Sequence, residues 1–282
     1  MSGKNDDTVR IGMVNYLNMA PIHEKWKNSI QRQDWMLVEA PPACLNEKLS
    51  EGDIDLGFVS CFEYGRNPEQ YQILSGLSIS ANGPVGSVFL FSNVPMEQLD
   101  KAPVLLSAES ATSVSLVKIV LEEFNGVHPV YQVAALGESN LKAFNGVLAI
   151  GDDALRLVDS STFLYQFDLG DIWKRETGLP FVFAVCAVQE KFSQSYPETL
   201  HQVHSELLRC RDEGVADLDA ICELSASRIP MERGLCHRYL KAIEYDLSQS
   251  KREALEKFFQ YLIKRGDIPE IALPLKIISC LS

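Results

Sequence analysis

The chain has 282 residues, 46% of them hydrophobic and 23% charged, so it carries the apolar material for a large core and lacks the composition of a disordered polymer. Its formal net charge of −12 would repel a phosphate backbone, and no basic stripe with interleaved aromatics offsets it, which argues against nucleic acid as a partner. A small anion stays open, because backbone amides at a helix start attract negative charge locally whatever the distant field.

In chain order, the opening MSGKNDDTVR lacks the basic region and apolar run of an export signal. VRIGMV, residues 9–14, predicts a strand that stops at the polar turn NYLN before Ala20-Pro21. MLVEA (36–40) predicts a second strand. PPACLNEKLSEGD then places Leu45 and Leu49 on one helical face with Gly52 as the stop, and IDLGFV predicts a third strand. Strand, helix, strand in that order implies a right-handed parallel unit and an α/β fold. YQILSGLSIS and GSVFLFS read as strands on either side of the turn Asn82-Gly83-Pro84. APVLLSA leads through SAESATS into an amphipathic helix whose face is Val117, Val120, Leu121 and Phe124. PVYQVAAL and GVLAI, the latter followed by GDDAL, imply a second parallel unit. TFLYQFDLG and LPFVFAVCAV complete the strand-rich part. From about Pro197 to Leu262 the pattern is almost wholly helical, with Pro197 near a start and Gly266 at a stop.

PFVFAVCAV falls well short of the roughly 20 apolar residues that cross a bilayer. Seven cysteines, odd in number and without CxxC spacing, suit reduced thiols. A cytoplasmic protein without a membrane span is expected. No Pro/Gly/Ser linker separates independent domains, so two lobes, if present, must be interwoven.

Four short clusters could carry chemistry. In SAESATSV, Ser110 fits a helix N-cap, and the same hydroxyls and first-turn amides suit a carboxylate or phosphate. The glycines of GPVGS serve either a tight turn or close backbone approach to a ligand, without the lysine of a phosphate loop. GDDAL puts Gly151, Asp152 and Asp153 after a strand, where open α/β sheets place ligands and where acidic helix starts are also common. NYLN puts Asn15, Tyr16 and Asn18 at the end of the first strand. His201 and His204 with Glu206 make no zinc pattern and read as a solvated helix face, so no metal is expected. There is no GxSxG, and covalent catalysis is not indicated.

NYLNMAP, IDLGFVSCFEY, LSGLSISANGPVGSVFLFS, SATSVSLVKIVL, LAIGDDAL and DLGDIWKRETGLPFVFAV occur in one order. Together they resemble the MqnA family, the chorismate dehydratases of the futalosine route to menaquinone. The resemblance implies a type 2 periplasmic-binding-protein-like fold. Residues 1–92 and 184–282 would form the first lobe and 93–183 an inserted second lobe, with GSVFLFS and FVFAV as crossing strands. It also implies loss of water from chorismate, giving 3-[(1-carboxyvinyl)oxy]benzoate, with no cofactor and no metal. Asn18 and Ser87 would be the catalytic residues. Tyr16, Cys61, Gly86, Ser110, Ala111, Thr112, Ser113, Gly151 and Asp152 would contact substrate. The proton acceptor would be Asp152 or the substrate's own enolpyruvyl carboxylate, the latter preferred.

The family more often has proline and serine at positions 60 and 61 and tryptophan at 186, where this chain has Ser60, Cys61 and Cys186. If position 61 touches substrate, a weak thiol donor replaces a hydroxyl. Two other classes share the scaffold: a sister family acting on cyclic dehypoxanthine futalosine, and non-catalytic solute-binding proteins. The NYLN and SATS blocks favour the dehydratase over the first, and the lack of an export signal disfavours the second.

Overall fold

A computed structural model describes residues 8–138, 140–158, 160, 162–225 and 231–279. Strand β1 (Val9–Met13) passes through a 3-10 turn at Leu17–Met19 into helix α1 (Ala20–Ser29). Pro21 sits in the first turn of α1, where no backbone donor is needed. Then come β2 (Trp35–Glu39), α2 (Pro42–Glu51) and β3 (Leu56–Ser60). Leu45 and Leu49 bury the inner face of α2, and Gly52 ends it in the left-handed conformation at φ 76°. β1 lies parallel between β2 and β3. The β1–β3 approach requires glycine, because a Cβ on Gly57 would stand 2.6 Å from the Gly12 carbonyl oxygen.

After α3 (Cys61–Arg66) and β4 (Tyr71–Ala81), the chain leaves this sheet. The second sheet holds β5 (Val88–Ser92), β6 (Pro103–Ser107), β7 (Val130–Ala134), β8 (Gly146–Ile150) and β9 (Tyr165–Asp168) in the order β7-β6-β8-β5-β9. Its helices are α4 (Ala111–Lys118), continued by a π-helical turn at Ile119–Phe124, α5 (Gly151–Val158) and α6 (Leu169–Thr177). β10 (Phe181–Gln189) returns to the first sheet, antiparallel to β3 and β4. The C-terminal layer is α7 (Glu190–Ser195), α8 (Pro197–Ala216), α9 (Leu218–Ser225), α10 (Arg233–Ala242) and α11 (Gln249–Arg265), with β11 (Ile277–Ile278) on the sheet edge. The first sheet thus reads β11-β4-β10-β3-β1-β2.

Sheet membership differs from the sequence expectation at the crossings. Residues 88–92, assigned above to the end of the first lobe as a crossing strand, form ladders only with β8 and β9 of the second sheet. FVFAV bonds only within the first. The polypeptide passes between sheets in the links 82–87 and 178–180, because both strands have their backbone groups satisfied within a single sheet. A second difference lies in the C-terminal layer, where 243–248 is not helical. β11 covers only Ile73 and Leu74 of β4. The Ser78 and Ser80 amides donate instead to the carbonyls of Tyr245 and Glu244.

One continuous hydrophobic cluster runs through both sheets. On one side of the molecule Trp173 of α6 packs edge-on against Phe181 and Phe258, and Phe124 against Tyr261 of α11. Among the described residues no helix is long and apolar enough to cross a membrane, and no disulfide is formed by the described cysteines.

Candidate functional site

Opposite that shared core, the two sheets leave a narrow cleft of about 80 Å³, tighter than the roughly 300–1,000 Å³ of open small-molecule sites. The ends of β1, β3 and β8, the inter-sheet link 82–87, β10 through Phe183 and Ala184, and the start of α4 converge on it. Tyr16, Asn18, Ser87, Ser110, Ser113 and Gly151 all line it, together with Ser60, Phe58, Phe183 and an aliphatic wall that includes Val85 and Ile150. Among the described residues the lining holds no aspartate, glutamate, histidine, lysine, arginine or cysteine. Its polar character is hydroxyl, amide and backbone.

Each polar group is held from behind. Asn18 lies in the 3-10 turn, its backbone carbonyl accepting from the Tyr245 hydroxyl at 2.9 Å, while its buried Oδ1 has no hydrogen-bond partner. Tyr16 donates to Glu109 across the cleft at 2.8 Å. Burial, this bond and nearby carboxylates raise its phenol well above the ordinary range, so it stays protonated. Gly151 adopts φ 53°, and a Cβ there would meet the Tyr16 ring at 3.1 Å, so the position requires glycine both for space and for backbone conformation.

Ser110 caps α4 by accepting from the Ser113 amide at 3.2 Å, and its hydroxyl also lies 3.0 Å from the Ser113 hydroxyl. Residues three apart share a helix face, which turns both serines to the cleft. Thr112 is on a different face. Its hydroxyl accepts from the Phe62 amide at 3.1 Å and lies 3.4 Å from Cys61 Sγ. It therefore joins α4 to α3 and does not line the cleft.

Cys61, also expected to touch substrate, is fully buried, donates to the Val182 carbonyl at 3.1 Å, and has its thiol pushed up to about 12, chiefly by burial. It is absent from the cleft wall. Ala111, Gly86 and Asp152 are likewise outside the lining. Gly86 contributes through its backbone: its amide and that of Val85 donate to the Asp168 carboxylate at 2.7 and 3.1 Å, while Asp168 also accepts from Gly170 and Asp171 as the cap of α6. Burial nevertheless raises the Asp168 carboxyl against these four amides. Burial also raises Asp152, which has a buried oxygen without a partner and accepts from the Leu17 amide.

Sequence reasoning missed Asp168, Glu109, Tyr239 and Tyr245, all of them behind the lining residues. Only Asp168 carried a local signal, as an Asp before an apolar helix. His204, expected on a solvated face, is instead fully buried with Nε2 2.8 Å from the Ser75 carbonyl, and burial lowers its pKa. Cys186 is fully buried in β10, away from the cleft lining. No cluster of three or more metal-ligating side chains occurs among the described residues.

The two sheets, doubly linked around a hydroxyl-lined cleft, define a periplasmic-binding-protein-like architecture. The alkanesulfonate-binding protein of Xanthomonas axonopodis bound to MOPS superposes with a TM-score of 0.71 at 14% identity, covering 98% of this chain and 100% of that one. A protein of Archaeoglobus fulgidus gives 0.73 at 18% identity, covering 94% of this chain and 100% of its own. The family described as "Menaquinone biosynthesis" matches residues 9–264, and the chain belongs to that family. It is 32% identical over 267 residues to a chorismate dehydratase of Thermus thermophilus, covering 89% of this chain and 94% of the relative. A chorismate dehydratase of Campylobacter jejuni is 29% identical over 187 residues, covering 64% of this chain and 68% of the relative.

Proposed function

We propose that this chain is a chorismate dehydratase, a carbon–oxygen lyase that eliminates water from chorismate to give 3-[(1-carboxyvinyl)oxy]benzoate, working in the cytoplasm without a cofactor. The names of its relatives support the substrate. The observation that carries the mechanism is the neutral cleft: hydroxyls, one orphaned amide oxygen and a helix start, with no side-chain acid or base in the lining beyond a tyrosine held protonated.

Chorismate brings two carboxylates. On this reading the ring carboxylate sits against Ser110, Ser113 and the first-turn amides of α4, where the helix field favours negative charge. Proton removal at the ether-bearing carbon spreads charge through the diene into that carboxylate, so donors fixed there stabilise the developing anion. The anion then expels the neighbouring hydroxyl and the ring aromatises. Ser87 and Asn18 address the departing hydroxyl and the ring. The base is the substrate's enolpyruvyl carboxylate, since the lining offers none and Asp152 stands outside it. The second sheet closes on the first about the links 82–87 and 178–180.

The test is incubation of the purified protein with chorismate, with product followed by aromatic absorbance and mass. Absence of product under conditions where the Thermus thermophilus relative turns over would sink this reading.

A further inference from the structure

We propose that Tyr239, on α10, is the positioning residue that sets Ser87 to donate its hydroxyl proton into the cleft. This rests on the dehydratase reading above and adds to it a residue far from every cleft motif in the sequence. Tyr239 Oη lies 2.9 Å from Ser87 Oγ, and both side chains are buried, at 7% and 1% exposure. Each hydroxyl has one proton to give. A phenol is the more acidic donor and an aliphatic hydroxyl oxygen the better acceptor, so the bond runs from Tyr239 to Ser87. Serine, having accepted, keeps its own proton for a different partner. Ser87 lines the cleft and Tyr239 does not, so that partner is whatever the cleft holds.

The surroundings leave this hydrogen bond as the last free choice. The Ser87 carbonyl accepts from the Gly151 amide at 2.7 Å, and the preceding amides of Val85 and Gly86 are held by Asp168. The backbone is thus fixed on both sides, and only the side-chain torsion and hydroxyl rotor remain. The Tyr239 ring is seated against Gly86, where a Cβ would lie 3.4 Å from Cδ2. Burial raises the Tyr239 phenol well above its ordinary range, so its proton stays in place at any working pH. A donor aimed before substrate arrives needs no reorganisation as charge develops on the leaving oxygen.

The experiment compares wild type, Tyr239→Phe, Ser87→Ala and the double variant in the chorismate assay. Tyr239→Phe should lower kcat roughly tenfold with KM nearly unchanged, and Ser87→Ala should lower it on the order of 100-fold. The double variant should be no slower than Ser87→Ala, because a residue acting only through Ser87 has nothing left to act on. Additive losses, or full kcat in Tyr239→Phe, overturn the proposal. Should Tyr239→Phe lose its fold, 3-fluorotyrosine at 239 keeps ring and hydroxyl while changing acidity. It should alter kcat with Tm unchanged, and an unchanged kcat again overturns the proposal. Failure of the underlying reading shows separately, as no turnover in the wild type.

Discussion

Asn18 sets the residue-scale problem most sharply: it buries an amide oxygen that bonds to nothing while its backbone is tied down by Tyr245. An unpaired buried acceptor costs about 1–3 kcal/mol, a cost that makes sense where a ligand supplies the missing donor. Asn18→Ala should therefore lower kcat roughly 100-fold while leaving Tm equal to or slightly above wild type. A Tm drop as large as that of a core deletion would show Asn18 to be structural. Cys61 gives the opposite expectation. Its thiol is spent on the Val182 carbonyl outside the cleft, so Cys61→Ser should leave kcat/KM for chorismate unchanged. A clear change in KM would return position 61 to the substrate. These two residues show what was legible in sequence. Asn18, Ser87, Ser110, Ser113 and Gly151 stand where elements begin or end, so local motif reasoning reaches them. Thr112 and Cys61 lie outside the lining because their side chains turn to α3 and to the Val182 carbonyl, a direction that adjacency to a motif does not convey.

At the scale of elements, the site depends on helices that never touch it. α8 crosses α1 so closely that a Cβ on Gly214 would land on the Pro21 carbonyl, and α1 begins directly after the turn that carries Asn18. Alanine at 214 would gain about 1 kcal/mol of helix propensity but overpack against rigid backbone, at a cost of about 1–3 kcal/mol. The clash is with a carbonyl that no side-chain rotation can clear, so overpacking should win. Gly214→Ala should lower the urea midpoint and also kcat, as α1 shifts beneath Asn18. A raised midpoint would contradict the close crossing. The helical pattern of the C-terminal third was readable from spacing, as was the parallel strand-helix-strand order. The extended segment 243–248, and the arrival of Tyr239 and Tyr245 behind the cleft, were not, because they follow from which half of β4 was left without a strand partner.

For the whole molecule, α11 is the element that ties the two sheets together on one side. It packs on the first sheet's side yet reaches the second: Tyr261 meets Phe124, Phe258 meets Trp173, Arg265 pairs with Glu122 at 2.8 Å and Lys264 with Glu123 at 2.6 Å. On the opposite side the sheets are joined by the Tyr16–Glu109 hydrogen bond at 2.8 Å. The ion pairs also give the tie through α11 a pH dependence with a definite sign. The Glu123 carboxyl is held below the ordinary range, chiefly by its bond to Lys264, with burial opposing and Arg265 assisting. A depressed folded-state pKa means that its stabilisation is present above the unfolded value, about 4.3, and lost as pH falls through the lower folded value. Solvent-facing pairs of this kind contribute less than about 1 kcal/mol, so the comparison needs a matched variant. Glu123→Gln lacks the charge at every pH. Its Tm should lie below wild type at neutral pH, and the two curves should converge as the solution is taken below about pH 4. A gap that stays constant from neutral to acid would mean that packing of Phe124 and Trp173 against α11, and not charge, holds the lobes together on this side.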